Sequence, residues 1–449
     1  MKDSNFLREN NARHMWHPMG HAGAQRDNPP AIITQAEGVF ITDLDGHCTV
    51  DAVGGLWNVN LGYSCDPVKA AISAQLDRLP YYSAFAGTSN DAAIELSWEL
   101  REFFAPEGMG RAFFTSGGSD SVETALRLAR QYHKLRGEPG RTRFLSLKKG
   151  YHGTHFGGAS VNGNNRFRTA YEPLLTGCHH LPAPYPYRDP QGIDDPQALA
   201  RHILAAAEDQ IAFLGAGTIA AFIMEPVLGA GGVHVPHETL MPGMREICDR
   251  HGILLIADEV ITGFGRTGDW SGSRHWGVRP DMMAIAKAIT NGYFPFGACL
   301  ISEPVAEVFE GAGPEGFIGH GYTYSAHPVG AAAALACLAE TKRLSVKDNA
   351  AARGTQLFEG MKGLQAKHEI IGDVRGGHGL MTAIELVSDR ATRAAVTPDI
   401  GLKVQKLAYE HGAMLRASGA NLILSPPLVI SEQEAQIIID ALDQALGAI

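Results

Sequence analysis

Asp258 closes the apolar run ILLIAD (253–258) and, with Glu259, leads into GFGRTG; Lys287 follows directly on a second apolar run, MMAIA (282–286). Short apolar runs bounded by glycine read as central strands of a parallel sheet, which needs no polar alternation because both faces are covered. In such sheets the ligand sits beyond the carboxyl ends of the strands. An acid and an amine placed there have chemical uses. A lysine taken out of water loses its preference for the charged form, which prepares the amine for Schiff-base chemistry. The plainer alternatives are an acid pair capping a strand end and a lysine whose stem reaches back to solvent.

A third group of residues lies in FFTSGGSDSVETALRLAR (113–130). It places a Ser/Gly turn between a strand and a helix whose Val122, Ala125, Leu126 and Ala129 follow the 3.6-residue period. Such a turn aims free backbone N–H groups and the positive helix end at one point, a site for phosphate or carboxylate. The alternative is an ordinary helix cap. The turn matches neither the dinucleotide fingerprint, with its acid about 20 residues on, nor the Walker pattern. The fourth piece is KKGYHGTH (148–155), where Tyr151 is an aromatic bounded by glycine after another strand; core packing is its alternative.

These pieces need elements to hold them. Apolar runs at 111–115, 143–147, 218–224, 253–258, 282–286 and 297–302 alternate with helical patterns, which predicts a mostly parallel sheet with helices on both faces. Before it, AIIT and GVFITDLDGHCTVDA read as strands joined by an Asp45-Gly46 hairpin. Segments 66–79 and 91–104 read as helices, the first with Asp66 as cap and Pro67 at the first helical position. From about residue 329 an Ala-rich helix leads into a smaller α+β region running through NLILSPPLVI.

The 449 residues carry 38 basic and 48 acidic side chains, a formal charge of -10 with no basic block. Nucleic acid and anionic membranes are therefore poor partners, and a small molecule is favoured. Cys48, Cys65, Cys178, Cys248, Cys299 and Cys337 form no C-x-x-C pair, so neither a zinc site nor a disulfide framework is expected. The opening MKDSNFLRENNARHMWHPMG lacks a signal peptide's apolar core, and no apolar run approaches the ~18 residues of a membrane span. A soluble, cytoplasmic protein is the expectation.

Taken in order, the Ser/Gly turn, Tyr-His-Gly, the strand-end Asp with GFGRTG and the Lys resemble the class III (subgroup II) pyridoxal-phosphate aminotransferases of fold type I, over nearly the whole chain. MEP, ADEVITGFGRTG, PDMMAIAKAITNGYFPFGA and GYTYSAHPVG look like family blocks, while GLWNVNLGYS, KKGYHGTHFGG and AMLRASGANLILSPP look most like the ω-amino acid or amine:pyruvate transaminases. The resemblance implies an α/β, aspartate aminotransferase-like fold: an N-terminal segment (1–55) contributing to the small domain, a large cofactor domain (56–328) and a small α+β domain (329–449).

It further implies pyridoxal 5′-phosphate as cofactor, Lys287 as the Schiff-base lysine and proton carrier, and Asp258 as partner of the ring nitrogen. Gly118 and Ser119 match the phosphate cradle, Tyr151 the residue stacked on the ring, Val260 the apolar residue on its other face, and Glu225 an acid near the ring. Thr323 matches a phosphate ligand given by the neighbouring subunit, implying a homodimer or a dimer of dimers. Leu56, Trp57 and Phe85 match a substrate-pocket wall, with Phe85 from the partner, and Arg416 a carboxylate-binding arginine that swings away for plain amines. An amine donor and a keto-acid acceptor such as pyruvate are the implied substrates. Two departures stand out: the family's Ser-Gly-Ser is Gly117-Gly118-Ser119 here, and a Glu is replaced by Asp120. Taurine, putrescine or GABA aminotransferases, an aminomutase and a decarboxylase share such a site. An NAD-dependent oxidoreductase would need the missing fingerprint, and a plain binding module would have no use for the Lys and Asp.

Overall fold

The computed structural model describes residues 3–85 and 87–449. At its centre is a seven-stranded sheet: β1 (Met109–Thr115), β2 (Arg143–Leu147), β3 (Cys178–Leu181), β4 (Ile219–Met224), β5 (Leu254–Asp258), β6 (Met282–Ile285) and β7 (Gly297–Ser302). The spatial order is β1-β7-β6-β5-β4-β2-β3. Every neighbouring pair is parallel except those made by β7, which runs antiparallel to both β1 and β6. The start of β7 therefore lies at the same edge of the sheet as the carboxyl ends of the other strands.

Alternate strand residues feed two cores. Leu145, Phe222, Leu255, Met283 and Leu300 face helices Asp91–Phe103, Pro196–Leu214 and Leu240–His251 through Leu96, Leu100, Leu199, Ile203 and Met244. Phe144, Ile223, Ile256, Ala284 and Cys299 face the Gly118–Leu135 helix, whose Val122, Ala125, Leu126 and Ala129 are all buried as their period requires. Covered on both faces, β4, β5 and β6 are buried at every position, which is why they read as unbroken apolar runs.

Two further sheets flank this one. Strands Ile33–Glu37, Phe40–Asp43 and Cys48–Asp51 form an antiparallel unit extended by Ala413–Met414, which lies parallel to Cys48–Asp51. Strands Ile371–Arg375, Thr382–Asp389, Asn421–Leu424 and Arg416–Ser418 form the other, with Ala394–Ala395 at its side. Helix Pro328–Arg343 joins the two packing regions: Ala331, Ala334 and Leu338 lie in the central core, Ala333 and Cys337 in the core shared by the flanking sheets.

Two details depart from the sequence reading. The first predicted helix begins at Asp66 with Cys65 as its N-cap, so Asp66 is a first-turn acid beside the positive helix end and not the cap. Strand β3, CHHL, has no counterpart among the predicted strands, because a four-residue edge strand with two histidines carries almost no apolar signal. Among the described residues no helix is long and apolar enough to cross a membrane.

Candidate active site

The carboxyl ends of β1, β2, β4, β5 and β6 open onto a cleft of about 350 Å³. Its lining includes Gly118 and Ser119 after β1, Tyr151 after β2, Glu225 after β4, Asp258 and Val260 at β5, and Lys287 after β6. Seven of the residues singled out in the sequence thus converge, because strands scattered along the chain end side by side. Phe294, Pro295 and Phe296, just before β7, close another wall.

Asp258 is 4% exposed. Its Oδ2 lies 2.8 Å from Nδ1 of buried His152, and its Oδ1 accepts the Val260 N–H at 3.2 Å. A carboxylate only accepts, so Nδ1 carries the hydrogen and His152 holds the acid in place. Asn162 accepts the His152 backbone N–H and donates to Gly153 O, which fixes the loop that carries the histidine. Sequence reasoning misses His152 and Asn162 as functional residues. The signal is present in Tyr-His-Gly, but a histidine's partner is invisible until the fold brings β5 alongside.

Glu259, next to Asp258, points elsewhere. It is fully buried and accepts from Thr262 Oγ1, Gly272 N, Ser273 N and Ser273 Oγ. One acid of the pair faces the cleft; the other ties down the turn behind it. Arg266 of GFGRTG is structural in the same way. Its buried guanidinium donates to Leu380 O, Pro426 O and Asn60 Oδ1, joining three distant segments.

Lys287 leaves β6 in the left-handed region, at φ 52, after an extended Ala286. That conformation is uncommon for a residue with a Cβ, and buried Ala286, Ala288 and Ile289 hold it. The side chain has no hydrogen bond or ion pair within the described residues. Burial lowers its pKa, and the Asp258 and Glu225 carboxylates oppose that shift. Glu225 is itself buried, with Oε1 accepting Tyr151 N and Oε2 accepting Gly229 N, each at 2.9 Å. Burial raises its carboxyl to about 7, with His152 opposing and Asp258 reinforcing.

The Ser/Gly turn fits an anion. No side chain caps the Gly118–Leu135 helix, so its first-turn N–H groups are left for a ligand at the cleft. The turn also runs close to Val260: a Cβ on Gly118 would come within 2.9 Å of Val260 Cγ1. Ser119 Oγ accepts Thr154 N at 3.2 Å. An uncapped helix end, an amine with depressed basicity and a fixed carboxylate across one cleft are the donor set that a phosphorylated pyridine aldehyde requires, so pyridoxal phosphate fits these residues.

The remaining predicted residues are not brought to the cleft wall. Trp57 is buried beside Ile261, Val227 and Val233, and Leu56 is exposed. Arg416 is partly buried on its hairpin strand, where its charge is felt by Tyr151 and Lys287. Phe85 and Thr323 lie together at the surface: Gly321 approaches the Phe85 ring, and Tyr81 OH donates to Thr323 O at 2.8 Å.

Comparison with known proteins agrees with this geometry. Residues 22–446 match the family Aminotransferase class-III. A putrescine–pyruvate aminotransferase from Pseudomonas aeruginosa is 37% identical over 93% of this chain and 91% of its own length. An adenosylmethionine-8-amino-7-oxononanoate aminotransferase from Geobacter sulfurreducens is 37% identical over 100% of this chain and 98% of its own. The PLP-bound amine transaminase of an uncultivated Pseudomonas species superposes with a TM-score of 0.95 at 49% identity, covering 97% of this chain and 99% of that one. With its strand-end acid and lysine and its uncapped phosphate turn, the chain belongs to the class III aminotransferases, pyridoxal-phosphate enzymes of fold type I.

Proposed function

We propose that this aminotransferase moves the amino group of a primary amine or ω-amino acid to pyruvate, giving alanine, in two half-reactions at the same cleft. Bound pyridoxal phosphate supplies the carbonyl that takes up the amino group and the electron sink that lets the substrate carbon lose a proton. The chain supplies the rest. Lys287 would hold the cofactor through Nζ, and its free amine would take up the proton that the amine-bearing carbon loses and later return it. Asp258, steadied by His152, offers a fixed negative charge to the ring nitrogen. Tyr151 and Val260 would cover the two ring faces, Glu225 would stand by its substituents, and Gly118 and Ser119 would receive the phosphate.

Arg416 carries the reading of the acceptor. Its guanidinium reaches the field of Tyr151 and Lys287, and no acid pairs with it among the described residues. A planar guanidinium grips a carboxylate through two hydrogen bonds, and its long stem lets it move aside for an amine that has none. Arg416→Ala is expected to weaken the half-reaction with pyruvate or alanine by the ~1.5–3 kcal/mol of a charged hydrogen bond, sparing that with a simple amine. Single-turnover absorbance measures both; equal losses would mean that the carboxylate site lies elsewhere. An amine panel run with pyruvate and with 2-oxoglutarate tests the acceptor directly.

The reading includes a homodimer or a dimer of dimers. Phe85, Phe156 and Phe317 stand 51%, 69% and 77% exposed along one groove near Thr323, an apolar surface that a second copy would cover. Thr323 of that copy would complete the phosphate site, so monomers should be inactive on dilution. A cytoplasmic location is supported by six unpaired cysteines. The division at residues 55 and 328 belongs to the same proposal, supported by the separate cores of the central and flanking sheets.

A further inference from the structure

Beside the cleft lies a second chamber of about 310 Å³. Its walls are mostly apolar, among them Met19, Phe156, Phe167 and Leu174, and Arg166 is its one charged lining residue among the described residues. The chamber adjoins the reaction site: the Phe167 ring packs edge-on against Tyr151 at 4.9 Å between centroids, and Thr154 follows cleft-lining Gly153. The Arg166 guanidinium stands 5.9 Å from the Phe167 ring centre and pairs with no acid among the described residues. Its neighbour Arg168 shows the contrast, pairing with Glu172.

Arg166 is exposed and pairs with no acid among the described residues, so its charge is met by water alone and its planar guanidinium is free to grip an anion that the substrate brings. We infer that Arg166 is a specificity-determining residue that binds a carboxylate at the far end of the amine donor, with the apolar chamber taking the methylene chain between. The inference rests on the amine-to-keto-acid reading above and names its donor class: amines with a distal carboxylate, held by an arginine other than the one that meets an α-carboxylate.

The test compares three donors in the holoenzyme, wild type against Arg166→Gln: 6-aminohexanoate, hexylamine, which lacks the carboxylate, and alanine, whose carboxylate is adjacent to the amine. For 6-aminohexanoate, kcat/KM is expected to fall about tenfold, the lower end for a charged hydrogen bond because Arg166 is exposed. Hexylamine and alanine should stay within about twofold, and Arg166→Lys should recover part of the loss. A parallel fall for hexylamine would make Arg166 a wall residue only and overturn the inference. So would an unchanged 6-aminohexanoate rate, or a wild type that uses hexylamine and not 6-aminohexanoate. Failure of the underlying reading shows separately, as a wild type that transfers no amino group from any of the three.

Discussion

Replacing Asp258 by Asn keeps the shape and removes the charge, and two separate costs follow, one on the bound cofactor and one on the contacts of the acid. A unit positive charge about 4 Å from the carboxylate gains on the order of 4 kcal/mol at an effective dielectric near 20. Lost in full from the transition state, that lowers turnover about 10³-fold. The second cost falls on His152. An Asn amide nitrogen facing His152 Nδ1 sets donor against donor, and the amide's other orientation sets it against Val260 N–H, which Oδ1 now accepts. The histidine can escape only by moving its hydrogen to Nε2, which is buried with no partner. An unsatisfied buried donor costs about 1–3 kcal/mol. Asp258→Asn should therefore fold and hold cofactor, lose about 1–3 kcal/mol of stability in urea unfolding of the cofactor-free protein, and turn over about a thousandfold more slowly. Turnover within about tenfold of wild type, with cofactor bound, would refute the electron-sink role, and unchanged stability would refute the tautomer argument.

Lys287→Met should remove a pH dependence. The folded pKa of Lys287 is depressed, so the unfolded chain binds more protons between that value and about 10.4, and stability rises with pH across this window. Melts of the cofactor-free proteins from neutral to alkaline pH should show wild type gaining on the variant; parallel curves would contradict the burial argument. Borohydride reduction of the holoenzyme followed by peptide mapping should mark Lys287, and a label on Lys148 or Lys149 would overturn the assignment. Gly118→Ala should weaken cofactor retention because its Cβ meets Val260 Cγ1 at 2.9 Å, and Val260→Ala should restore part of it; retention unchanged by the methyl group, or a loss without rescue, would refute the steric account. Glu259→Ala leaves the buried donors of Thr262, Gly272 and Ser273 without their acceptor and should cost about 2–4 kcal/mol by urea unfolding. A variant losing activity at full stability would give Glu259 the chemical role assigned to Asp258.

Much of this protein is local and was therefore legible in the chain. Strands β4, β5 and β6 are buried on both faces, so burial alone dictates their unbroken apolar runs, and the Gly118–Leu135 helix shows its buried side as a 3.6-residue period. Lys287 and Asp258 stood out because charged groups at the ends of such runs need a reason to be there. What the sequence could not decide is which side chains meet across long separations. The two acids at 258 and 259 are equivalent in one dimension. The twist of the strand end sends one toward His152, 106 residues earlier, and the other toward Ser273. Likewise Arg166 and Arg416 are 250 positions apart by their numbering, and only the fold brings their charges within reach of each other. Periodicity and composition record how much of each residue is buried; partners are set by tertiary closure, because a hydrogen bond or a repulsion depends on distance in space and leaves no trace in the order of the chain.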